Sequence, residues 1–302
     1  MTDDKNKPPV DGIVPGLVAY LIWGFLPVYF KLTQHVEPLE VLAHRIVWAV
    51  PFGALILWYR DQWPEVWRAL SSPRVLFWLL VAAAMIAVNW FVYIYAVQSN
   101  QVYQASLGYY INPLMYVLVG VTFLGERLRR LQVVSLVLAA TGVLILTLSY
   151  GELPWIALAL GVSFTAYGVI RKQVAVGAMP GLFVETMLLL PLALGWLVFV
   201  IESGQSSFLS GSTANDVLLI VAGPLTVVPL VCFAIAARKL TLTIIGFMQF
   251  IAPTLQFMVG VAYGEVLTTA HLVCFVFIWT AVGLFSFDVV RSNRRTAGAR
   301  ES

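Results

Sequence analysis

The sequence predicts an all-α membrane protein with ten transmembrane helices that form two inverted five-helix repeats. Sixty per cent of the 302 residues are hydrophobic and 11% are charged, whereas a soluble domain carries about 25% charged residues. Apolar runs recur at about the 20-residue length that crosses a hydrocarbon core of roughly 30 Å. Short blocks near the middle of the chain return near its end, and this similarity indicates the repeat.

Ten apolar runs follow one another between polar or Pro- and Gly-containing breaks. The first 12 residues are polar and lack the apolar core and cleavage site of a secretory signal, so the first run is expected to remain in the mature protein. The predicted parts are a tail at 1–12, a first repeat at 13–149, a second repeat at 154–289 and a tail at 290–302. The predicted spans are 13–32, 39–59, 75–97, 102–124, 131–149, 154–174, 181–201, 215–237, 243–263 and 268–289.

The repeat is carried by two pairs of similar segments. GERLRR at 125–130 corresponds to GEVLTT at 264–269, and INPLMYVLVGV at 111–121 corresponds to IAPTLQFMVGV at 251–261. Each half then holds five spans. Because five is odd, the second half crosses the membrane in the opposite sense to the first, which is the inverted repeat seen in many transport folds.

The distribution of positive charge predicts the orientation. Cytoplasmic loops carry an excess of Lys and Arg, so a basic loop in one half of an inverted repeat should have a neutral counterpart in the other. GERLRR and GEVLTT follow this rule. With both termini in the cytoplasm, 16 of the 18 Lys and Arg residues fall on the cytoplasmic side, and only Lys31 and Arg45 do not. The protein is expected in the inner (plasma) membrane, with the lipid bilayer as its surroundings.

The second predicted span carries an unusual group of polar residues. Glu40, His44 and Trp48 are spaced i, i+4 and i+8 on one helical face, and Arg45 follows His44. A charged residue at a helix centre costs at least ~2.5 kcal/mol, so such residues usually face a bundle interior or a wet cavity. We assign His44, Arg45 and Trp48 to a substrate cavity. The alternative for His44 is a structural hydrogen-bond donor.

Glu185 in the seventh span is the predicted counterpart of Arg45. Glu185 lies six residues before Pro191, as Arg45 lies six residues before Pro51. The two charges are expected to hold the ends of a zwitterionic or polar substrate, or to act as gates. In the alternative interpretation, Arg45 pairs with Glu40 or extends to the membrane interface, and Glu185 lies near the cytoplasmic end.

The fourth and ninth spans each carry a polar face with a central proline. An intrahelical proline frees a backbone carbonyl, which is tolerated where neighbours or cavity water satisfy it. These faces predict a cavity at the repeat interface. Alternatively, their polar groups bond across helices and their glycines allow close packing. The faces are Tyr109, Pro113, Tyr116 and Gly120, and Gln249, Pro253, Gln256 and Gly260; Asn89 and Tyr93 of the third span and Asn112 of the fourth complete the predicted cavity.

Several function classes lack their motifs in this chain. There is no GxxxxGK[ST] phosphate loop, no GxSxG elbow and no HExxH motif. The three histidines have no metal-ligand spacing, and Cys232 and Cys274 lie inside apolar runs. The sequence therefore predicts no enzyme, no cofactor and no metal. The net charge of +3 is spread over many short loops, so no nucleic-acid partner is expected.

Six long motifs are spread over almost the whole chain. They are LEVLAHRIVW (39–48), NWFVYIYAV (89–97), ASLGYYINPL (105–114), FLGERL (123–128), PLVCFAIAAR (229–238) and GFMQFIAPTLQF (246–257). These motifs resemble the RarD-type members of the EamA family in the drug/metabolite transporter superfamily, a group named for chloramphenicol sensitivity. The resemblance implies a secondary transporter, a permease or exporter, of small polar or amphipathic metabolites, amino-acid-like or drug-like, that works by alternating access.

The resemblance also implies where the parts of such a transporter lie. The cavity would form from helices 1 to 4 and 6 to 9, leaving helices 5 and 10 at the periphery, where they could form a homodimer. Glu126 and Glu265 would be hinge or gate residues, together with Pro113 and Pro253; the alternative role for the two glutamates is capping at the interface. The competing functions are a small-solute channel and a non-transporting membrane sensor or assembly protein.

Overall fold

The computed structural model describes residues 10–99, 101–123, 125–151, 155–264 and 268–298. Within these ranges the chain is all-helical, as predicted, and contains no strand. The helices are α1 (Val10–Leu32), α2 (Pro38–Tyr59), α3 (Trp63–Leu70), α4 (Pro73–Gln98), α5 (Val102–Thr122), α6 (Arg130–Tyr150), α7 (Trp155–Gln173), α8 (Ala178–Glu202), α9 (Thr213–Lys239), α10 (Leu242–Gln249), α11 (Ile251–Ala262) and α12 (Thr269–Gly298).

Eight helical segments in the described part of the chain are long and apolar enough to cross a membrane. They are α1, α2, α4, α6, α8, α9, the combined α10 and α11, and α12. The predicted fourth and sixth spans form helices α5 and α7, but these two are not among the eight. Both contain several polar residues, which lower their mean hydropathy.

Proline or a capping hydroxyl begins several helices, as the sequence requires. Pro38 and Pro73 stand in the first turns of α2 and α4, where a missing N–H group removes no helical hydrogen bond. The hydroxyls of Ser212 and Thr241 accept hydrogen bonds from first-turn N–H groups of α9 and α10. Gly151 ends α6 with φ 72°, a left-handed conformation that glycine adopts without strain.

The predicted ninth span is interrupted at Phe250, which separates α10 from α11. Pro253 explains the break, because it donates no N–H to the carbonyl of Gln249 and its ring crowds that carbonyl. In contrast, α5 runs without interruption through Pro113, the predicted counterpart of Pro253. The break therefore affects only one of the two polar faces.

The helices form one bundle with a peripheral pair. α1 packs on α9 and α11, α7 packs on α4 and α5, and α2 packs on α8 and α9. α6 and α12 pack mainly against each other, and buried side chains from both join the inner faces of α5 and α10. The centre of the bundle is therefore lined by α1, α2, α4, α5, α7, α9, α10 and α11.

Contacts between helix ends define two ends of the bundle. One end carries Lys172 and Lys239, and we call it the basic end. There Lys172, at the end of α7, donates a 2.7 Å hydrogen bond to the carbonyl that follows α9. Lys239 there lies 3.6 Å from Asp11 at the start of α1. At the opposite end, Gln98 at the end of α4 donates a 2.9 Å hydrogen bond to the carbonyl of Val36, between α1 and α2.

Candidate functional site

A cavity lies at the centre of the bundle, between the inner faces of α1, α2, α4, α5, α7, α10 and α11. Its volume is about 30 Å³, and the atom-free space reaches about 480 Å³ only when the open mouth is included. Among the described residues that line it, one is cationic, none is acidic, and most of the others are aromatic or carry an amide. They are Tyr20, Trp23, Leu26, Arg45, Asn89, Trp90, Tyr93, Tyr109, Phe164, Gln249, Ala252 and Gln256.

Arg45 is the charged group of this cavity, and its side chain is only 4% exposed. Its Nε donates a 3.0 Å hydrogen bond to the hydroxyl of Thr226. The guanidinium carbon lies 4.5 Å from the ring centroid of Trp90 and 5.5 Å from that of Phe30, which is cation–π geometry. No carboxylate of a described residue pairs with Arg45, so π faces and a neutral hydroxyl compensate the buried charge.

The amide residues of the cavity are held in different ways. Asn89 donates hydrogen bonds of 3.0 and 3.1 Å from Nδ2 to two groups of α7, which leaves its carbonyl oxygen free to accept. Gln256 donates a 3.0 Å hydrogen bond to the backbone carbonyl of Trp23. Pro27, four residues later, cannot bond to that carbonyl. The buried Oε1 of Gln249 has no hydrogen-bond partner in the described structure.

An aromatic cluster separates the cavity from the basic end, and we call it the aromatic barrier. Neighbouring rings in it have centroids 5.2–6.4 Å apart. Some of these rings line the cavity, while Tyr167 extends the cluster one helical turn further along α7. The members are Tyr20, Trp23, Tyr116, Phe164, Tyr167 and Phe233.

Glu185 lies on the far side of the aromatic barrier and forms a buried ion pair. Its Oε1 is 3.3 Å from Nη1 of Arg171, and both side chains are 1% exposed. Tyr167 donates a 3.4 Å hydrogen bond to Oε2 of Glu185. Arg171 also donates a 2.8 Å hydrogen bond to the carbonyl of Ala178, in the first turn of α8. Arg171 thus joins α7 to α8. From its sequence position beside Lys172, only a location on the cytoplasmic side of the membrane is predicted.

Comparison with known proteins identifies the family. A sequence model of the EamA-like transporter family matches residues 11–148. An uncharacterized transporter of Pseudomonas aeruginosa is 45% identical over 288 residues, which are 94% of this chain and 96% of that protein. The protein RarD of Escherichia coli is 42% identical over 95% of this chain and 97% of its own length. The chain belongs to the EamA-like transporter family.

Two further comparisons agree with this assignment. The uncharacterized transporter YojE of Bacillus subtilis is 39% identical over 94% of the chain and 96% of its own length. A solved crystal structure of a protein that is 19% identical matches with a TM-score of 0.68 and covers 90% of this chain and 96% of that one. At that identity the structure shows a shared fold only.

Six of the eleven cavity residues predicted from the sequence line the cavity of this EamA-family protein, and the other five lie elsewhere. His44 and Trp48 are among the five: Trp48 donates a 3.2 Å hydrogen bond to Nδ1 of His44, and the His44 ring packs 4.8 Å from Phe208. Glu40 accepts hydrogen bonds of 3.0 and 2.8 Å from Ser206 and Ser207, and no ion pair with Arg45 forms. These residues attach the 203–212 segment to α2.

Asn112 and Tyr116 join α5 to α7 instead of facing the cavity. Tyr116 donates a 2.9 Å hydrogen bond to the carbonyl of Phe164. Asn112 is fully buried, and it accepts a 3.5 Å hydrogen bond from Thr165. Glu185 lies on the far side of the aromatic barrier. The five predicted residues that do not line the cavity are therefore His44, Trp48, Asn112, Tyr116 and Glu185.

The predicted hinge and gate residues of this EamA-family chain are only partly described. Pro253 stands in the first turn of α11, next to the break at Phe250. The backbone N–H of Glu126 donates a 2.9 Å hydrogen bond to the carbonyl of Gly120, which closes the C-terminus of α5. Glu265 and the side chain of Pro113 lie outside the described residues.

Proposed function

We propose that this EamA-family protein is a secondary transporter that carries small polar or amphipathic metabolites by alternating access, with the cavity around Arg45 as its substrate site. The observation that carries this proposal is the central cavity, which holds a buried guanidinium without a carboxylate partner among the described residues. Such a charge is costly inside a membrane unless a functional partner arrives. Relatives named as transporters support the same class of function.

We also propose the ten-span inverted repeat, because helix packing follows it. In that repeat α1, α2, α4, α5 and α6 correspond to α7, α8, α9, α10 with α11, and α12. The packing of α1 on α9 then corresponds to α7 on α4, and α1 on α11 corresponds to α7 on α5. The pairs α2 with α8 and α6 with α12 join equivalent helices. In addition, Gly125 (φ 67°) and Gly264 (φ 88°), which begin the similar GE turns, are both left-handed.

The proposed orientation places the basic end in the cytoplasm of the inner membrane. The termini and the loops with most of the Lys and Arg residues belong to that end in the ten-span arrangement, which is the positive-inside pattern. The outer faces of α6 and α12, away from the cavity, are where two copies could form the proposed homodimer.

Alternating access requires a barrier on each side of the site. On the cytoplasmic side we assign the aromatic barrier together with the Arg171–Glu185 pair. On the other side we assign the 203–212 segment, which Glu40 holds by two hydrogen bonds. Pro253 and Pro113 are proposed as hinges of the helices that carry the two polar faces, with Glu126 and Glu265 at their ends.

Transport by proteoliposomes tests this function. A metabolite library is first screened for compounds that raise the unfolding temperature of the purified protein, because a ligand of the folded state stabilises it. The compounds found are then used for counterflow. Wild-type protein should show saturable counterflow, whereas Arg45→Ala and Gln256→Ala should abolish it without preventing membrane insertion. Lys31→Ala, at the end of α1 and outside the cavity lining, is the matched control and should transport normally.

The same assay separates the competing functions. A channel would give flux that does not saturate and no counterflow. A sensor or assembly protein would give ligand stabilisation without flux. Unchanged counterflow in both Arg45→Ala and Gln256→Ala would contradict the site assignment.

A further inference from the structure

The charge of the central cavity is unbalanced, and this imbalance limits what can bind there. Arg45 supplies one full positive charge, and no acidic side chain stands among the described lining residues. The buried carboxylates of Glu185 and Glu40 have other partners. Glu185 is bound by Arg171 and Tyr167 on the far side of the aromatic barrier, and Glu40 is bound by the 203–212 segment. A ligand is therefore the available source of negative charge.

The guanidinium of Arg45 is oriented to receive an anion. Thr226 fixes its Nε, and the hydroxyl of Thr226 is itself fixed by a 2.7 Å hydrogen bond to the carbonyl of Ala222. The terminal nitrogens of Arg45 donate no hydrogen bond to any described residue. They are also absent from the fully buried polar atoms that lack a partner, so they are not sealed away from the cavity. A planar fork of N–H donors matches the two oxygens of a carboxylate.

An ammonium group has no comparable place in this cavity. The amide oxygens of Asn89 and Gln249 are neutral acceptors. They suit a hydroxyl or amide N–H, but no carboxylate of a described lining residue offsets the charge of an ammonium. One face of Trp90 is already covered by the guanidinium of Arg45. Arg45 would also repel a second cation.

The walls favour an unsaturated, planar ligand body. Trp23, Trp90 and Phe164 surround the space beside Arg45, and Tyr93 and Tyr109 close it with rings 5.4 Å apart at 70°. Aromatic pairs gain most in edge-to-face or offset-stacked arrangements. A flat ring with a carboxylate at one end would use both the walls and the cation.

We infer that the ligand of this cavity is an aromatic monocarboxylate without an ammonium group, with its carboxylate on Arg45 and its ring among Trp23, Trp90 and Phe164. This inference rests on the proposed function, since it takes the cavity around Arg45 as the transport site. The sequence predicts a zwitterionic or polar ligand, and this inference assigns an anionic one. Gln249 then accepts a hydroxyl or amide N–H of the ligand body.

Matched ligand sets test the inference by calorimetry and thermal stability on the purified full chain. One set is 3-phenylpropanoate, phenylalanine and 3-phenylpropanamide, and another is indole-3-propanoate, tryptophan and indole-3-propanamide. Within each set the ring and chain are constant, while the charged groups change. The acid should bind at least about tenfold more tightly than the amide, the ratio expected when a charged hydrogen-bond pair is lost. It should also bind at least about tenfold more tightly than the amino acid, whose ammonium must leave water without a carboxylate partner.

Variants connect the preference to Arg45. Arg45→Gln should bind the acid and the amide equally, whereas Arg45→Lys, which keeps the charge but not the fork, should bind the acid more weakly and still prefer it to the amide. Lys31→Gln removes a positive charge outside the cavity and should leave the preference unchanged. Unfolding temperatures of the three variants show whether each one is folded.

Three outcomes would overturn the inference: amino acids that bind as tightly as the acids, an acid preference that survives Arg45→Gln, or no binding by the acids in either set. Its failure is distinct from failure of the transporter function. A zwitterion or neutral compound that gives Arg45-dependent counterflow would refute the anionic ligand and keep the transporter. An acid that binds through Arg45 but gives no counterflow would keep the anionic ligand and refute the transporter.

Discussion

Arg45 and Glu185 are both buried seven residues into their helices, yet their charges are compensated in opposite ways. Glu185 has a cationic partner in Arg171 and a hydroxyl donor in Tyr167, so its charge is satisfied by the protein. Arg45 has π faces and one neutral acceptor. The Arg171–Glu185 pair is complete without a ligand, which suits a barrier. Arg45 lacks a carboxylate partner among the described residues, which suits the binding of a ligand. We therefore propose different roles for these two positions, which the proposed repeat makes equivalent.

The Arg171–Glu185 pair should show the asymmetry of a buried ion pair. Arg171→Met leaves an unpaired carboxylate, and such a loss destabilises a folded protein by about 3–5 kcal/mol. The double variant Arg171→Met with Glu185→Leu removes both charges and should recover most of that loss. Thermal unfolding in detergent measures both. If the double variant were no more stable than Arg171→Met, the pair would not be the source of the effect.

Helix positions followed closely from the sequence, because long apolar runs in a membrane can satisfy their backbone only as helices. Two local features did not. α3 (Trp63–Leu70) lies between the second and third predicted spans, although Pro64 and the spacing of Trp63, Val66 and Leu70 fit a short helix with one apolar side. The break at Phe250 does not follow from the sequence, because a proline predicts only a weakened helix. Tertiary packing decides whether that helix divides in two.

Side-chain direction explains why only part of the site followed from the sequence. Adjacent residues on an α-helix point about 100° apart, at 3.6 residues per turn. His44 and Arg45 are adjacent, so they cannot both face one narrow cavity, and the structure places Arg45 there. The partner of Glu185 could not be found from spacing within its own helix, because Arg171 reaches it from α7.

Close contact between α2 and α9 depends on a missing side chain at Gly223. A Cβ added there would lie 2.5 Å from the backbone carbonyl of Trp48, so Gly223→Ala should force the helices apart and cost about 1–3 kcal/mol, as overpacking does. Gly195→Ala in α8 is the matched control, since an added Cβ there meets nothing within 4 Å. It should be neutral or stabilising by up to about 1 kcal/mol.

Unfolding temperatures of the two alanine variants check this contact. Because α2 carries Arg45 and α9 carries Thr226, Gly223→Ala should also weaken ligand binding in the cavity. Equal unfolding temperatures for Gly223→Ala and Gly195→Ala would contradict the close approach of the two helices.

The molecule as described has contacts that hold both ends of the bundle at once. The aromatic barrier and the Arg171–Glu185 pair lie between the cavity and the basic end of the bundle. The 203–212 segment is bound to α2 at the opposite end. A carrier needs each barrier to open while the other stays closed. The two proposed barriers depend on different carboxylates, Glu185 and Glu40, so single substitutions should weaken them separately.

Labelling from the two sides of the membrane tests this arrangement. Ala252→Cys places a thiol in the cavity of a chain in which Cys232 and Cys274 are replaced by alanine. With both barriers intact, a membrane-impermeant thiol reagent should label it slowly from either side. Glu185→Gln weakens the pair with Arg171 and should raise labelling several-fold in inside-out vesicles only. Glu40→Gln weakens the hold on the 203–212 segment and should raise it in right-side-out vesicles only. Equal increases on both sides for either variant would mean that the two carboxylates do not serve separate barriers.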